Sequence, residues 1–114
     1  ANCGHVAPVV LRGDGQAEVL SQRSEHGLGG RASVKPVEQV TTLAPGDRLV
    51  MVSDGVIRRG EGQAGLAVDG VIEAALRSER GTAADTVREI HRAVLAAAEG
   101  ELADDATAVC LSVE

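Results

Sequence analysis

The stretch Leu49-Val50-Met51-Val52-Ser53-Asp54-Gly55-Val56-Ile57 decides the fold. Its four leading apolar residues form a run with no polar alternation, which reads as a strand covered on both faces. The run stops on an acid followed by glycine and then resumes. That carboxylate needs a reason, because an isolated charge at the end of a buried strand is costly.

Working outward, Ala44-Pro45-Gly46-Asp47 reads as a tight turn with proline set for its first corner, and residues 38–43 before it read as another strand. Further upstream, residues 9–12 and 17–20 flank Gly13-Asp14-Gly15-Gln16, a glycine- and aspartate-containing connection of hairpin length. Residues 21–37 are polar and glycine-rich and predict a loop. Gly27-Leu28-Gly29-Gly30 in its middle lacks the strand-then-helix context of a dinucleotide-binding loop and reads as flexible backbone.

Downstream, residues 60–65 form a second glycine-rich loop, after which the apolar period changes from strand to helix. Val68, Val71, Ile72, Ala75 and Leu76 lie on one helical face, with Gly70 as a weak point and Gly81 past the end. Thr82-Ala83-Ala84-Asp85 resembles a capping box. Val87, Ile90, Val94 and Leu95 continue it as an apolar stripe, and Gly100 suits a left-handed stop. Residues 106–113 close the chain as a strand, directly after Asp104-Asp105. Strands, then two helices, then a returning strand predict an α+β fold with the helices packed on one sheet face.

A chain of 114 residues is one domain or less. Its formal charge of −6 opposes binding to nucleic acid or an anionic membrane, which requires clustered Lys and Arg; the pair Arg58-Arg59 is too small for that. The absence of any aromatic residue removes the stacking platforms used on single strands and leaves Val, Leu, Ile and Ala to fill the core. Cys3 and Cys110 sit at opposite ends, without CxxC spacing or a signal peptide, which suits reduced thiols in a cytoplasmic protein. Both default to small buried hydrophobes without an activating base. No apolar run approaches the ~20 residues of a membrane helix.

If the strands around residues 50 and 108 are antiparallel neighbours, Asp54 at the end of one lies beside Asp104-Asp105 at the start of the other. Carboxylates held together raise one another's pKa unless a cation rewards the ionised form, and an all-oxygen set selects Mg²⁺ or Mn²⁺ over Zn²⁺. Spacing alone leaves an alternative open: Asp54-Gly55 as an ordinary turn and Asp104-Asp105 as a solvated loop. His5, in Asn2-Cys3-Gly4-His5, reads as part of a turn before it reads as a ligand; His91 borders the helix stripe and His26 sits in the polar loop. No Gly-x-Ser-x-Gly elbow, phosphate-binding Gly-x4-Gly-Lys-Ser/Thr loop or His-Glu-x-x-His is present.

Taken in order, Asn2-Cys3-Gly4-His5 with Pro8 and an apolar strand, the segment 43–49 (Leu-Ala-Pro-Gly-Asp-Arg-Leu), Ser53-Asp54-Gly55-Val56, and Asp104-Asp105-Ala106-Thr107 with its terminal strand resemble the SpoIIE-like bacterial branch of the metal-dependent serine/threonine phosphatases, relatives of protein phosphatase 2C. The resemblance spans almost the whole chain. It implies a sandwich of two antiparallel sheets flanked by helices, of which residues 1–114 are the C-terminal portion of a single phosphatase domain, incomplete at the N-terminus. It implies Asp54 and Asp104 as metal ligands, with Asp105, Gly55 and His5 lining the site. Two Mn²⁺ or Mg²⁺ ions per complete domain would activate a water, which replaces any catalytic side chain as nucleophile.

Two departures accompany the resemblance. The family's first metal motif, a Gly-Asp pair near the start of the domain, has no counterpart, so these residues alone are expected to be inactive. Arg58-Arg59 stands where many relatives carry an acid. A half-domain would expose sheet edges and apolar face, which favours association, as in a homodimer, or partial disorder.

The expected function is hydrolysis of phosphoserine or phosphothreonine on a small regulatory phosphoprotein such as an anti-sigma-factor antagonist, with no nucleic-acid or membrane partner. The alternative is a non-catalytic interaction module on the phosphatase scaffold. A third reading is a purely structural α+β domain with ordinary turn aspartates.

Overall fold

In the computed structural model, residues 1–21, 26–30, 33, 35–57, 65–79, 81–102 and 104–114 are described. Arg58-Arg59, most of the 60–65 loop and parts of the 21–37 loop lie outside them.

The hairpin forms where the turn residues place it. Strand β1 (Val9–Leu11) pairs antiparallel with β2 (Ala17–Val19), Val10 opposite Glu18. Gly15 supplies the left-handed corner at φ +89°, and its N–H donates to the Arg12 carbonyl at 2.9 Å. Strand β3 (Arg48–Val52) lies between β1 and β4 (Ala108–Ser112) and is antiparallel to both, so the sheet order is β2-β1-β3-β4.

Helices α1 (Val68–Leu76) and α2 (Ala83–Ala97) pack on one face of this sheet. The core joins Val9, Leu11, Val50 and Val52 of the strands to Val71, Ala74, Ala75, Ile90 and Val94 of the helices, with Val56 plugged in just past β3. Thr82 caps α2 as expected, its hydroxyl accepting from the Asp85 N–H at 3.2 Å. The stripe is shifted by one position at its start: Thr86 is buried with Ile90 and Val94, whereas Val87 and Leu95 are half-buried. The left-handed stop uses Glu99 (φ +52°) together with Gly100 (φ +87°), whose N–H reaches back to the Leu95 carbonyl at 2.9 Å.

One expectation needs correction. Residues 38–43 are not a strand: β1 already has a neighbour on each side, so no edge is open to them beside it, and Val40 is 90% exposed. A side chain holds them instead, as the Arg12 guanidinium donates to the Thr42 carbonyl (2.8 Å) and the Thr41 hydroxyl (3.1 Å). The described strands make one four-stranded antiparallel sheet with both helices on one face, the α+β arrangement expected. The face of β3 and β4 opposite the helices carries Leu49, Met51, Val109 and Leu111, the last two 44% and 53% exposed. This face of β3 and β4 is apolar and only partly covered. No described helix is long and apolar enough to cross a membrane.

Two buried ions fix the layers. Pro45 and Gly46 (φ +91°) form a type II turn closed by the Asp47 N–H on the Ala44 carbonyl at 2.9 Å. The buried Asp47 carboxylate then accepts from the Ala44 and Gly13 N–H groups and from Arg12, each at 2.9 Å, tying the hairpin tip to the start of β3. Next to it, Arg48 points to the helix side and donates to Ser78 Oγ (2.5 Å), Thr86 Oγ1 (2.6 Å) and the Ala75 carbonyl (3.3 Å). Burial pushes the nearby Cys110 thiol up, so it stays protonated at neutral pH, in keeping with a small hydrophobe. Both cysteines are free.

The backbone N–H groups of Ala44 and Gly13, then Arg12, hold the Asp47 carboxyl below its ordinary 3.8. A depressed folded-state value adds stability above about pH 4 and loses it as pH falls through the folded value. Asp47→Asn should therefore lower the urea midpoint at pH 7. The difference from wild type should close when both proteins are unfolded at successively lower pH below 4.

Candidate functional site

The β3–β4 register determines which loops meet. Val52 pairs with Ala108, so the exit of β3 lies beside the entrance of β4. One residue on, the Ser53 N–H donates to the Thr107 carbonyl at 2.8 Å, while the Thr107 N–H donates to the Ser53 hydroxyl at 2.9 Å. A side-chain oxygen thus takes the place of a backbone acceptor and ends the ladder. The same hydroxyl donates weakly to the Asp105 carbonyl at 3.4 Å.

After Ser53 the chain turns tightly, the Val56 and Ile57 N–H groups donating to the carbonyls of Ser53 (3.0 Å) and Asp54 (3.1 Å). Gly55 is demanded by space. A Cβ on it would stand 2.1 Å from the Asp105 carbonyl oxygen and 3.2 Å from the Ala106 nitrogen. The two acidic loops are therefore in backbone contact. Asp104 is oriented within its own loop, its Oδ1 accepting the Asp105 N–H at 2.8 Å.

Asn2-Cys3-Gly4-His5 forms the turn its composition predicted. Asn2 clasps it from both sides: its Oδ1 accepts the His5 N–H (2.8 Å) and its Nδ2 donates to the His5 carbonyl (3.0 Å). Gly4 takes φ +85° and sits against residue 27, whose nitrogen would be 3.0 Å from an added Cβ. The His5 ring is exposed, and its Nδ1 bonds the Val6 carbonyl at 3.0 Å.

These pieces border one open cleft of about 440 Å³, walled by Cys3, Gly4 and His5, by Gly27 and Leu28, and by Ser53, Asp54, Gly55, Asp104 and Asp105. All five residues singled out in the sequence, Asp54, Asp104, Asp105, Gly55 and His5, share it. The three aspartates are exposed to solvent. Sequence reasoning missed Cys3, which lines this cleft instead of a core, and Gly27-Leu28, which forms its rim with Leu28 77% exposed. No periodicity marks such residues, because they are gathered by loop packing alone. His26 is half-buried beside the rim, and His91 is exposed on α2.

Among the described residues, no three His, Cys, Asp or Glu side chains are grouped closely enough to hold one ion. A second cleft, about 570 Å³, lies where the end of α1 meets α2; there Arg88 and Arg92 are already paired with Asp85 and Glu89, and the lining charges balance. It offers no comparable convergence.

Comparison with known proteins gives a consistent result. A model of the family described as stage II sporulation protein E (SpoIIE) matches residues 1–114. Among solved structures, the chain is similar to the phosphatase domain of the cell fate determinant SpoIIE from Bacillus subtilis, presoaked with Mn, at 21% identity and a TM-score of 0.67 over 97% of this chain and 48% of that one. A second structure of that domain matches at 20% identity and a TM-score of 0.64, over 96% of this chain and 48% of that one. A structure of the PP2C phosphatase domain of the same protein with a fragment of its regulatory domain matches at 23% and 0.59, over 97% and 32%. The fold is thus that of a PP2C-like phosphatase domain, and the chain spans about half the length of the first two solved chains or less of the third. No curated protein matches the sequence.

Gly55→Ala tests whether the acidic loops meet as described. The added methyl overlaps backbone, which has no rotamer to give way, so the loops must separate. Overpacking of this kind costs about 1–3 kcal/mol, read as a lower urea midpoint. A variant as stable as wild type would show that the loops are not in contact.

Proposed function

The chain belongs to the family of stage II sporulation protein E (SpoIIE), and from that premise we propose that its cleft is one wall of the active site of a metal-dependent protein serine/threonine phosphatase. The observation that carries this reading is the meeting of Asp54 with Asp104 and Asp105 in one cleft, across loops whose backbones touch at Gly55. Ordinary turn aspartates have no reason to be gathered from residues 54 and 104 by a glycine that only close approach requires.

The donor chemistry fits a hard cation. All three side chains offer carboxylate oxygen, as Mg²⁺ and Mn²⁺ prefer, and Mg²⁺ is commonly held by one or two carboxylates with waters and substrate phosphate completing its shell. Among the described residues no group of three is formed, so these residues would supply part of a coordination shell that other donors complete. When bound, such ions neutralise phosphoryl oxygens and make a water nucleophilic at neutral pH.

The chain's own contribution is positional. The β3–β4 ladder holds Asp54 at a strand end, Ser53 closes the ladder, and the Asp105 N–H holds one Asp104 oxygen in place, so that the other would be available to a cation. The cleft is open and shallow, which suits a phosphorylated side chain presented on another protein better than a small enclosed metabolite. The substrate we propose is phosphoserine or phosphothreonine on a small regulatory protein, an anti-sigma-factor antagonist by family resemblance.

With full-length protein, Mn²⁺-dependent hydrolysis of p-nitrophenyl phosphate should fall by about two orders of magnitude or more in Asp54→Asn and in Asp104→Asn, the loss expected when a metal worth several kcal/mol to the transition state is misplaced. Undiminished turnover in either variant would remove that residue from the site. Binding of the phosphoprotein without turnover in wild type would favour a non-catalytic module.

A further inference from the structure

We propose that Leu28 is a specificity-determining residue of this phosphatase, packing against an aliphatic side chain that flanks the phosphorylated serine or threonine of its substrate. The inference rests on the phosphatase reading above and adds to it the kind of sequence the substrate protein must present.

A leucine standing alone on a surface needs no explanation. Leu28 differs in how it is held. Gly27-Leu28-Gly29-Gly30 is a defined turn: the Gly30 N–H donates to the Gly27 carbonyl at 3.3 Å, and Gly29 takes φ +83° at the third position, where a type II turn needs glycine. Leu28 occupies the corner before it and is 77% exposed. The turn is seated on its neighbour, since a Cβ on Gly4 would stand 3.0 Å from the Gly27 nitrogen, and the Gly4 turn is itself clasped by Asn2 from both sides. Close backbone approach thus fixes an aliphatic side chain at the rim of the cleft that Asp54, Asp104 and Asp105 also line.

The lining of the cleft divides by chemistry. Ser53, Asp54, Asp104 and Asp105 are polar or acidic, whereas Leu28 is its one large apolar side chain among the described residues. Cations held by carboxylates act on any phosphoryl group alike, so they cannot tell one phosphoserine from another. Discrimination needs contacts beyond the phosphate. At about 440 Å³ the cleft is the size of a site for a whole small ligand, which leaves room beside a single phosphorylated side chain. A leucine, isoleucine or valine of the substrate placed there would remove its own apolar surface and that of Leu28 from water in one contact. A glutamate in the same place would be dehydrated against an aliphatic surface and would face the acidic lining as well. Leu28 therefore selects in two ways, by favouring an apolar flank and by penalising an acidic one.

The test uses phosphoserine peptides, assayed with full-length protein and Mn²⁺, that differ only in carrying leucine, serine or glutamate on both sides of the phosphoserine. Wild type should favour the leucine peptide over the serine peptide by about tenfold or more in kcat/KM, with the glutamate peptide poorest. In Leu28→Ser that preference should shrink to about twofold or less, the loss on the leucine peptide appearing mainly as a higher KM. Leu28→Met, of similar volume and polarity, should keep the preference. A wild type indifferent to the flanks, or a Leu28→Ser protein that retains the preference, would overturn the role of Leu28, while hydrolysis of p-nitrophenyl phosphate would leave the phosphatase reading standing. Equal losses on all the peptides in a Leu28→Ser protein with a lowered melting temperature would overturn it too, by assigning the side chain to the fold. A wild-type protein that hydrolyses neither the peptides nor p-nitrophenyl phosphate would overturn both readings.

Discussion

The pairing of β3 with β4 is the constraint on which the remainder depends. A strand transmits position over its length, so the register that sets Val50 opposite Cys110 in the core also sets Ser53 against Thr107 at the rim. The rim is then locked by two features of opposite character: a hydroxyl that accepts a backbone hydrogen bond, and a missing Cβ at Gly55 that lets one loop lie on the other. A slip of one residue would turn Val50 and Val52 out of the core, and two valines in a buried cluster are worth several kcal/mol against that. Core packing therefore fixes the geometry of an exposed acidic cleft.

At the other end of β3 the problem is reversed, because there the charges are buried. Asp47 is satisfied by two backbone donors and a guanidinium, a complete set for a carboxylate facing inward. Arg48 is satisfied without a counter-ion among the described residues, by two hydroxyls and a carbonyl from the end of α1 and the start of α2. Neutral acceptors stabilise a buried cation less than a carboxylate would, but they have fixed places on two helices and so define where those helices sit. The cluster of Arg48, Ser78 and Thr86 is a registration device for the helical layer, as β3–β4 is for the sheet.

How much of this was legible depended on whether a residue's role was local. The hairpin at Gly13-Asp14-Gly15, the turn at Pro45-Gly46, the Thr82 cap and the extents of both helices are written in spacing and turn chemistry, and they stand where the sequence put them. Residues 38–43 read locally as a strand leading into the turn at Pro45-Gly46, but β3 beyond that turn pairs with β1 and β4 on its two sides, a pairing set by the whole sheet. Nothing local marked the linking roles of Arg12, Asp47 and Arg48, because the partners they tie together are about 30 residues or more away along the chain. At the cleft, Asp54, Gly55, Asp104 and Asp105 were legible because motif order carried them, whereas Cys3 and Leu28 belonged to no pattern.

The cost of gathering these carboxylates is kept low by their exposure. Two carboxylates 4 Å apart in water repel by only about 1 kcal/mol, and salt screens part of that. The same pair at an effective dielectric of 20 repels by about 4 kcal/mol. On the proposed reading, covering the cleft with the second sheet of a sandwich or with a phosphoprotein would move Asp54, Asp104 and Asp105 from the first regime toward the second. The cation then ceases to be optional, since only an opposite charge can offset a repulsion that burial has strengthened. Exposed apolar residues on β4, Val109 and Leu111, press in the same direction, because the hydrophobic gain from covering them would help drive the closure that makes the site electrostatically dependent on its ion. Layer completion and ion affinity would be coupled through one sheet, with β3 and β4 contributing to both.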